Sequence, residues 1–207
     1  MKKNSRLVAF CGIFTALAMI FSYVEMLLPI SIGVPGAKLG LANIAVLVVL
    51  YVAGGRTAFC VDILRIVLTS ILFGNMAAFI FSISGGMLSI IVMILLKKSG
   101  RFSMLGVSVA GGTAHNIGQI AAAAVVVGTA KIAYYLPVLL ITGVITGIVN
   151  GCVARIIKIS LQKTDLMILY DYSVMEFQIF RLFYSALRGI PSFLDISSLS
   201  FNSHFQN

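Results

Sequence analysis

The sequence predicts an all-α integral membrane protein, built as a compact bundle of six transmembrane helices. Three observations carry this reading. Apolar side chains make up 60% of the 207 residues and charged ones only 10%, against roughly 25% charged in soluble domains. The apolar residues gather in six runs, several of them near the roughly 20 residues needed to cross a bilayer. The basic residues fall at the ends of those runs, as topology signals do.

The first run, Leu7–Leu28, follows Lys2, Lys3 and Arg6. This opening resembles a signal peptide, but the run is long and lacks a small-residue cleavage site, so a retained first helix is expected. A loop with Pro29, Gly33, Pro35 and Gly36 comes next, all turn formers, and it ends near Lys38. The second and third runs, Leu39–Ala53 and Thr57–Phe73, are short and joined by Gly54-Gly55-Arg56; they are expected to tilt or to be shielded by neighbours. The fourth, fifth and sixth runs are Asn75–Leu96, Met104–Val127 and Tyr135–Ile157. Residues 1–163 thus read as one six-helix transmembrane domain. In the tail, 164–207, aromatics mix with Asp165, Asp171, Glu176, Arg181, Arg188 and Asp195. Val174–Leu187 is expected to form an amphipathic interfacial helix, with disorder over Ser192–Asn207.

With the N-terminus inside, one side of the membrane holds Lys2, Lys3, Arg6, Arg56, Lys97, Lys98, Arg101, Arg155, Lys158 and Lys163, and the other only Lys38 and Lys131. The expected location is therefore the cell membrane, multi-pass, with both termini cytoplasmic. The formal charge of +9 could point to nucleic acid. No basic face interleaved with aromatics supports that, so the expected surroundings are the lipid bilayer, with no nucleic acid.

Several chemistries lack their residues. There is no GxxxxGK[ST] loop for a nucleotide, no HExxH and no cysteine pair for zinc. Cys11, Cys60 and Cys152 lie in apolar runs and read as small buried hydrophobes. Magnesium-assisted diphosphate chemistry needs gathered carboxylates, and the transmembrane domain offers only Glu25 and Asp62. The expectation is a protein with no catalytic residues, no metal and no cofactor.

The polar groups inside the apolar runs are more informative. Gly111-Gly112-Thr113-Ala114-His115-Asn116-Ile117-Gly118-Gln119 sits in the middle of the fifth run. Strong polar groups at membrane depth are costly unless they face protein or a water-filled cavity, and the two glycines allow a backbone or ligand to approach closely. Ser108, Gly112, His115 and Gln119 fall on one helical stripe with Asn116 at its edge. Such a stripe serves either interhelical hydrogen bonding or one wall of a binding site. Asp62 and Arg65, three apart, can pair to stabilise the bundle; alternatively Arg65 faces a cavity and binds an anion, lying about 12 Å into its helix at 1.5 Å per residue. Glu25 near the end of the first run, Asn43 at the start of the second, and Ser82, Ser84, Gly85 and Gly86 on the fourth lie at a common depth and could meet in the outward-facing half.

Two stripes of small residues complete the pattern. Ala9, Gly12 and Ala16 share one face of the first helix, and Gly143, Gly147 and Gly151 recur every four residues on the last. Both permit close helix contact. The first serves either internal packing or docking of a partner membrane protein; for the second, internal packing is expected.

Taken in order, Pro35-Gly36-Ala37-Lys38-Leu39-Gly40-Leu41-Ala42-Asn43, then Arg65, Phe73-Gly74, Ser84-Gly85-Gly86 and His115-Asn116-Ile117-Gly118-Gln119 resemble the Gx transporter family, also labelled heptaprenyl diphosphate synthase component I. The resemblance covers about Leu7 to Lys163; the tail after Leu166 matches no part of the pattern. That family is similar to the substrate-binding S components of energy-coupling factor transporters. The resemblance implies an S-component-like bundle that captures a small molecule near the outer face. It also implies a transmembrane coupling subunit with ATPase subunits as partners, docked through Ala9, Gly12 and Ala16, and a lid at Pro35–Lys38.

Three functions follow. The first is a substrate-binding transport component in which Lys38 and Arg65 attract negative charge, His115, Asn116 and Gln119 hydrogen-bond, and Glu25, Asn43 and Ser84 shape the site. The expected ligand is then anionic or amphipathic. The second, implied by the family's other label, is a non-catalytic membrane component beside a polyprenyl synthase subunit. The third is an autonomous proton-coupled carrier using Glu25, Asp62 and His115, although no inverted repeat of the usual kind is visible.

Overall fold

The computed structural model describes residues 2–27 and 40–163. Six α-helices and one short 3-10 turn occupy them: α1 (Lys2–Leu27), α2 (Ala42–Ala53), α3 (Gly55–Phe73), α4 (Met76–Ser99), α5 (Met104–Val127), the turn Ala130–Tyr135, and α6 (Leu136–Lys163). Among the described residues there is no strand. The loop containing Lys38 and the whole tail from 164 onward, including the expected interfacial helix, lie outside them.

Local chemistry sets the helix boundaries. Gly54, at φ 88°, separates α2 from α3 with no intervening loop; the left-handed region is where glycine carries no Cβ penalty. Asn75 caps α4, its side-chain oxygen accepting from the Ala78 N–H at 2.8 Å, and Ser103 caps α5 through Gly106 N–H at 3.2 Å. Gly100 and Gly128 end α4 and α5 in the left-handed conformation. The final helix runs to Lys163, one and a half turns or so beyond the expected Ile157.

Packing follows a closed order. α2, α3, α4, α5 and α6 each touch the next, α6 returns to α2, and α1 lies against α2 and α3. The core is centred on α2. Its Val46, Val48, Val49 and Leu50 are fully buried, with Phe14 and Ala18 of α1 and Val61 of α3 around them. A helix apolar on every side belongs inside a protein or a membrane. At 12 residues, α2 is about 18 Å long, too short to cross a hydrocarbon core of roughly 30 Å by itself. Val8–Leu27, Met76–Ser99 and Lys131–Gln162 are long and apolar enough to do so. α3 and α5 carry too many polar groups to meet that description, with Asp62 and Arg65 on one and His115, Asn116 and Gln119 on the other. The long helices expose apolar side chains on their outward faces, among them Ile13, Leu95, Ile141 and Ile156. Large exposed apolar surface of this kind marks a membrane protein.

The two small-residue stripes separate. Gly147 and Gly151 of α6 meet the α5 backbone so closely that an added Cβ at Gly147 would lie 2.6 Å from Val109 Cα; this stripe is internal packing, as expected. Ala9, Gly12 and Ala16 of α1 are exposed, and nothing lies within 4 Å of a Cβ built on Gly12. The cysteines depart from expectation at one place: Cys11 and Cys60 are partly buried, but Cys152 is exposed. It lies on the outward side of α6, where the wall is apolar and a thiol fits without burial.

Candidate functional site

Two neighbouring glycines on α4 bring the helices of the site together. Gly85 faces α5, where a Cβ would stand 2.8 Å from Gln119 Cγ and 3.1 Å from His115 Cε1. Gly86 faces α3, where a Cβ would stand 3.2 Å from Asp62 Oδ2. With no side chains of its own there, α4 lets the polar groups of α3 and α5 come into one layer. α5 repeats the device: Gly111 receives Met93 of α4, and Gly112 receives the Gly143 carbonyl of α6.

The ion pair on α3 is buried. Asp62 is 2% exposed and Arg65 7%, and Asp62 Oδ1 accepts from Arg65 Nε at 2.8 Å and lies 2.7 Å from Nη2. Arg65 Nη2 also donates to Asn43 Oδ1 of α2 at 3.3 Å. Arg65 is therefore paired, the first of the two alternatives, and it also lines a cavity.

A second junction forms where the chain enters α2. Gly40, at φ 67°, donates its N–H to Glu25 Oε1 of α1 at 2.5 Å. Its carbonyl accepts from Asn150 Nδ2 of α6 at 3.0 Å. One residue is thus held from two helices distant in sequence.

Between these junctions lies a cavity of about 70 Å³, lined by Glu25, Gly40, Asn43, Arg65, His115 and Gln119 together with Ser22, Met26, Ala42, Ile66, Thr69, Ser70 and Ser82. His115 and Gln119 are 8% and 7% exposed. Two buried oxygens of its lining, Thr69 Oγ1 and Gln119 Oε1, have no hydrogen-bond partner among the described residues.

Of the residues singled out from the sequence, Glu25, Asn43, Arg65, His115 and Gln119 meet here. Asn116 points the other way, donating Nδ2 to the Leu139 carbonyl of α6 at 2.6 Å. Ser108, at the far end of the expected stripe, packs on Gly151 of α6. Ser84 is at the α4–α5 contact, where its carbonyl would lie 2.6 Å from a Cβ at Gly118; it is Ser82 that reaches the cavity. Lys38 and the expected lid at Pro35–Lys38 lie outside the described residues. Thr69, Ser70 and Asn150 went unread in the sequence. Thr69 follows Arg65 by four residues, one helical turn on the same face, and Asn150 is a strong polar residue inside an apolar helix; both signals were present.

The opposite end of the protein is basic. Lys97 Nζ of α4 donates to the Leu50 carbonyl at the end of α2 at 2.6 Å. Lys97 and Lys158 of α6 stand over the Tyr51 ring, 5.2 and 5.3 Å from its centroid. The C-terminal ends of α2, α4 and α6 therefore share one side of the molecule, away from the cavity.

Among the described residues no group of three His, Cys, Asp or Glu side chains is placed to hold a metal ion. A family model described as heptaprenyl diphosphate synthase component I matches residues 14–157. No curated protein and no solved structure matches the chain.

Proposed function

Since the chain belongs to the heptaprenyl diphosphate synthase component I family, we propose that it is a non-catalytic, membrane-embedded substrate-binding component of a transporter, similar to an S component. The observation that carries this reading is the convergence of Glu25, Asn43, Arg65, His115 and Gln119, from four helices, on one buried polar cavity. Polar side chains at membrane depth are costly and gather where something polar must be held.

In this reading all six helices belong to the membrane domain, α2 being shielded from lipid by its neighbours. The basic end with Arg56, Lys97, Lys98, Arg101, Arg155 and Lys158 is cytoplasmic by the positive-inside rule, so both termini are inside and the cavity opens outward. A small molecule enters from the outer side and is held by Arg65, His115 and Gln119, and Lys38 is proposed as a further contact. The exposed face of α1 carrying Ala9, Gly12 and Ala16 docks a transmembrane coupling subunit, whose ATPase subunits drive release inside. Ser84 and Asn116 support the site by fixing α4 and α6 against α5.

The test is purification of the full chain in mild detergent, followed by mass spectrometry of small molecules released on denaturation. A stoichiometric compound, lost in Arg65→Leu protein of unchanged elution profile, is expected. A folded protein that retains nothing and takes up nothing would remove the binding role.

The family description favours a second reading, a non-catalytic membrane subunit beside a polyprenyl diphosphate synthase. It requires that reconstituting this protein with a soluble synthase in liposomes raises activity or alters product length; unchanged kinetics would exclude it.

A further inference from the structure

The charge of the cavity is fixed before any ligand arrives. Arg65 is cancelled by Asp62 at 2.7 Å, and the second carboxylate, Glu25, lines the same space. Lys38, two positions before cavity-lining Gly40, is the sole further basic residue in the sequence between Leu7 and Gly55. Lys131, on the 3-10 turn before α6, is exposed and does not line the cavity. With Lys38 counted and His115 neutral, the two basic side chains, Arg65 and Lys38, and the two acidic ones, Asp62 and Glu25, cancel. A phosphate or diphosphate would enter a poorly solvated site with no surplus positive charge to meet it, which burial of charge penalises heavily.

The hydrogen-bonding inventory points in the same direction. Thr69 Oγ1 and Gln119 Oε1 are buried, line the cavity and lack partners among the described residues. Arg65 has already given hydrogen bonds to Asp62 and Asn43. Gln119 Oε1 can only accept and the Thr69 hydroxyl can accept as well as donate, so a ligand group that brings its own N–H or O–H satisfies both. The space, about 70 Å³, is well below the roughly 300–1,000 Å³ of sites that enclose a whole drug-sized ligand. It fits one functional group.

We infer that this cavity receives the amine, amide or hydroxyl end of an uncharged or singly cationic small molecule, and not a phosphate or diphosphate. The inference rests on the proposed binding role and sharpens it, reversing the anionic preference that Lys38 and Arg65 imply when read from the sequence alone.

The experiment uses full-length protein in detergent, wild type beside Gln119→Leu and Thr69→Val. Released small molecules are identified by mass spectrometry, and thermal unfolding is followed with ethylamine, acetamide and inorganic diphosphate as probes. The expected compound carries a nitrogen or hydroxyl donor and no phosphate, and its retention falls about tenfold in Gln119→Leu, as loss of a buried polar contact should produce. Thr69→Val, a nearly isosteric change, keeps the assay decisive should Gln119→Leu fail to fold. Stabilisation is expected with ethylamine or acetamide and not with diphosphate. A phosphorylated compound depleted in the same variants, or stabilisation by diphosphate alone, overturns the charge inference while leaving a binding component standing. A folded protein with no released compound and no response to any probe removes the binding role and the inference together.

Discussion

Asn150 of α6 donates to the carbonyl of Gly40, 110 residues earlier in the chain, at 3.0 Å. The same residue gives its N–H to Glu25 of α1, so the entry to α2 is clamped from the first and last helices. The clamp borders the cavity, since Glu25 and Gly40 both line it. Asn150→Leu should cost about 1–2 kcal/mol, the price of a lost buried hydrogen bond. Gly40→Ala should cost a similar amount, about 1–2 kcal/mol for a Cβ in the left-handed region, because Gly40 has φ 67°. Denaturant unfolding in detergent measures both, and wild-type midpoints for the two variants would show that the clamp carries no stability.

Arg65 and Asp62 make a sharper prediction. Asp62→Asn leaves a buried guanidinium without its counter-charge and should destabilise by about 3–5 kcal/mol. Replacing both together, Asp62→Leu with Arg65→Met, should restore most of that stability, because the cost lies in the uncompensated charge and not in the absence of the pair. If the double variant unfolds as readily as Asp62→Asn, the pair contributes directly to the fold and its proposed role is misassigned.

The contact between α4 and α5 depends on Gly118. Its missing Cβ would meet Ser84 O at 2.6 Å and Gly85 Cα at 2.9 Å, both backbone atoms that cannot swing aside. Gly118→Ala should therefore cost about 1–3 kcal/mol by overpacking. It should also loosen the cavity wall that Gln119 forms one residue later.

Gly12 is the opposite case. Nothing lies within 4 Å of its added Cβ, so Gly12→Ala should change stability by less than about 0.5 kcal/mol. Gly12→Phe should fold as well but obstruct the proposed docking face. In crosslinked membranes, recovery of a co-purifying membrane subunit should fall about tenfold, a change of roughly 1.4 kcal/mol in association. Equal recovery from wild type and Gly12→Phe would remove the docking role from α1.

At the basic end, Lys97 holds Leu50 O and stands over Tyr51, while Lys98 is exposed. Lys97→Ala should lower stability by about 1–2 kcal/mol through the lost hydrogen bond and cation–π contact. Lys98→Ala should be close to neutral, so equal effects of the two substitutions in the same unfolding assay would contradict the assignment.

Much of this architecture is legible in the chain itself. Hydrophobic run length locates six helices, although α1 begins before Leu7 and α6 runs past Ile157, because backbone hydrogen bonding in an apolar setting leaves a helix as the local solution. The boundaries follow from Gly54, Asn75, Gly100, Ser103 and Gly128, whose conformational and capping preferences are local. The polar residues inside apolar runs, Arg65, His115 and Gln119 among them, mark a candidate site because their burial demands compensation. What they face is not local. Whether Asn116 turns to the cavity or to Leu139, whether Ser82 or Ser84 reaches the space, and whether Arg65 also meets Asn43 depend on which helix stands opposite. Those choices are made by paired glycines, Gly85 with Gly86 and Gly111 with Gly112, each admitting a different neighbour. Sequence periodicity places a side chain on a face of its own helix; only close packing between helices decides what that face meets.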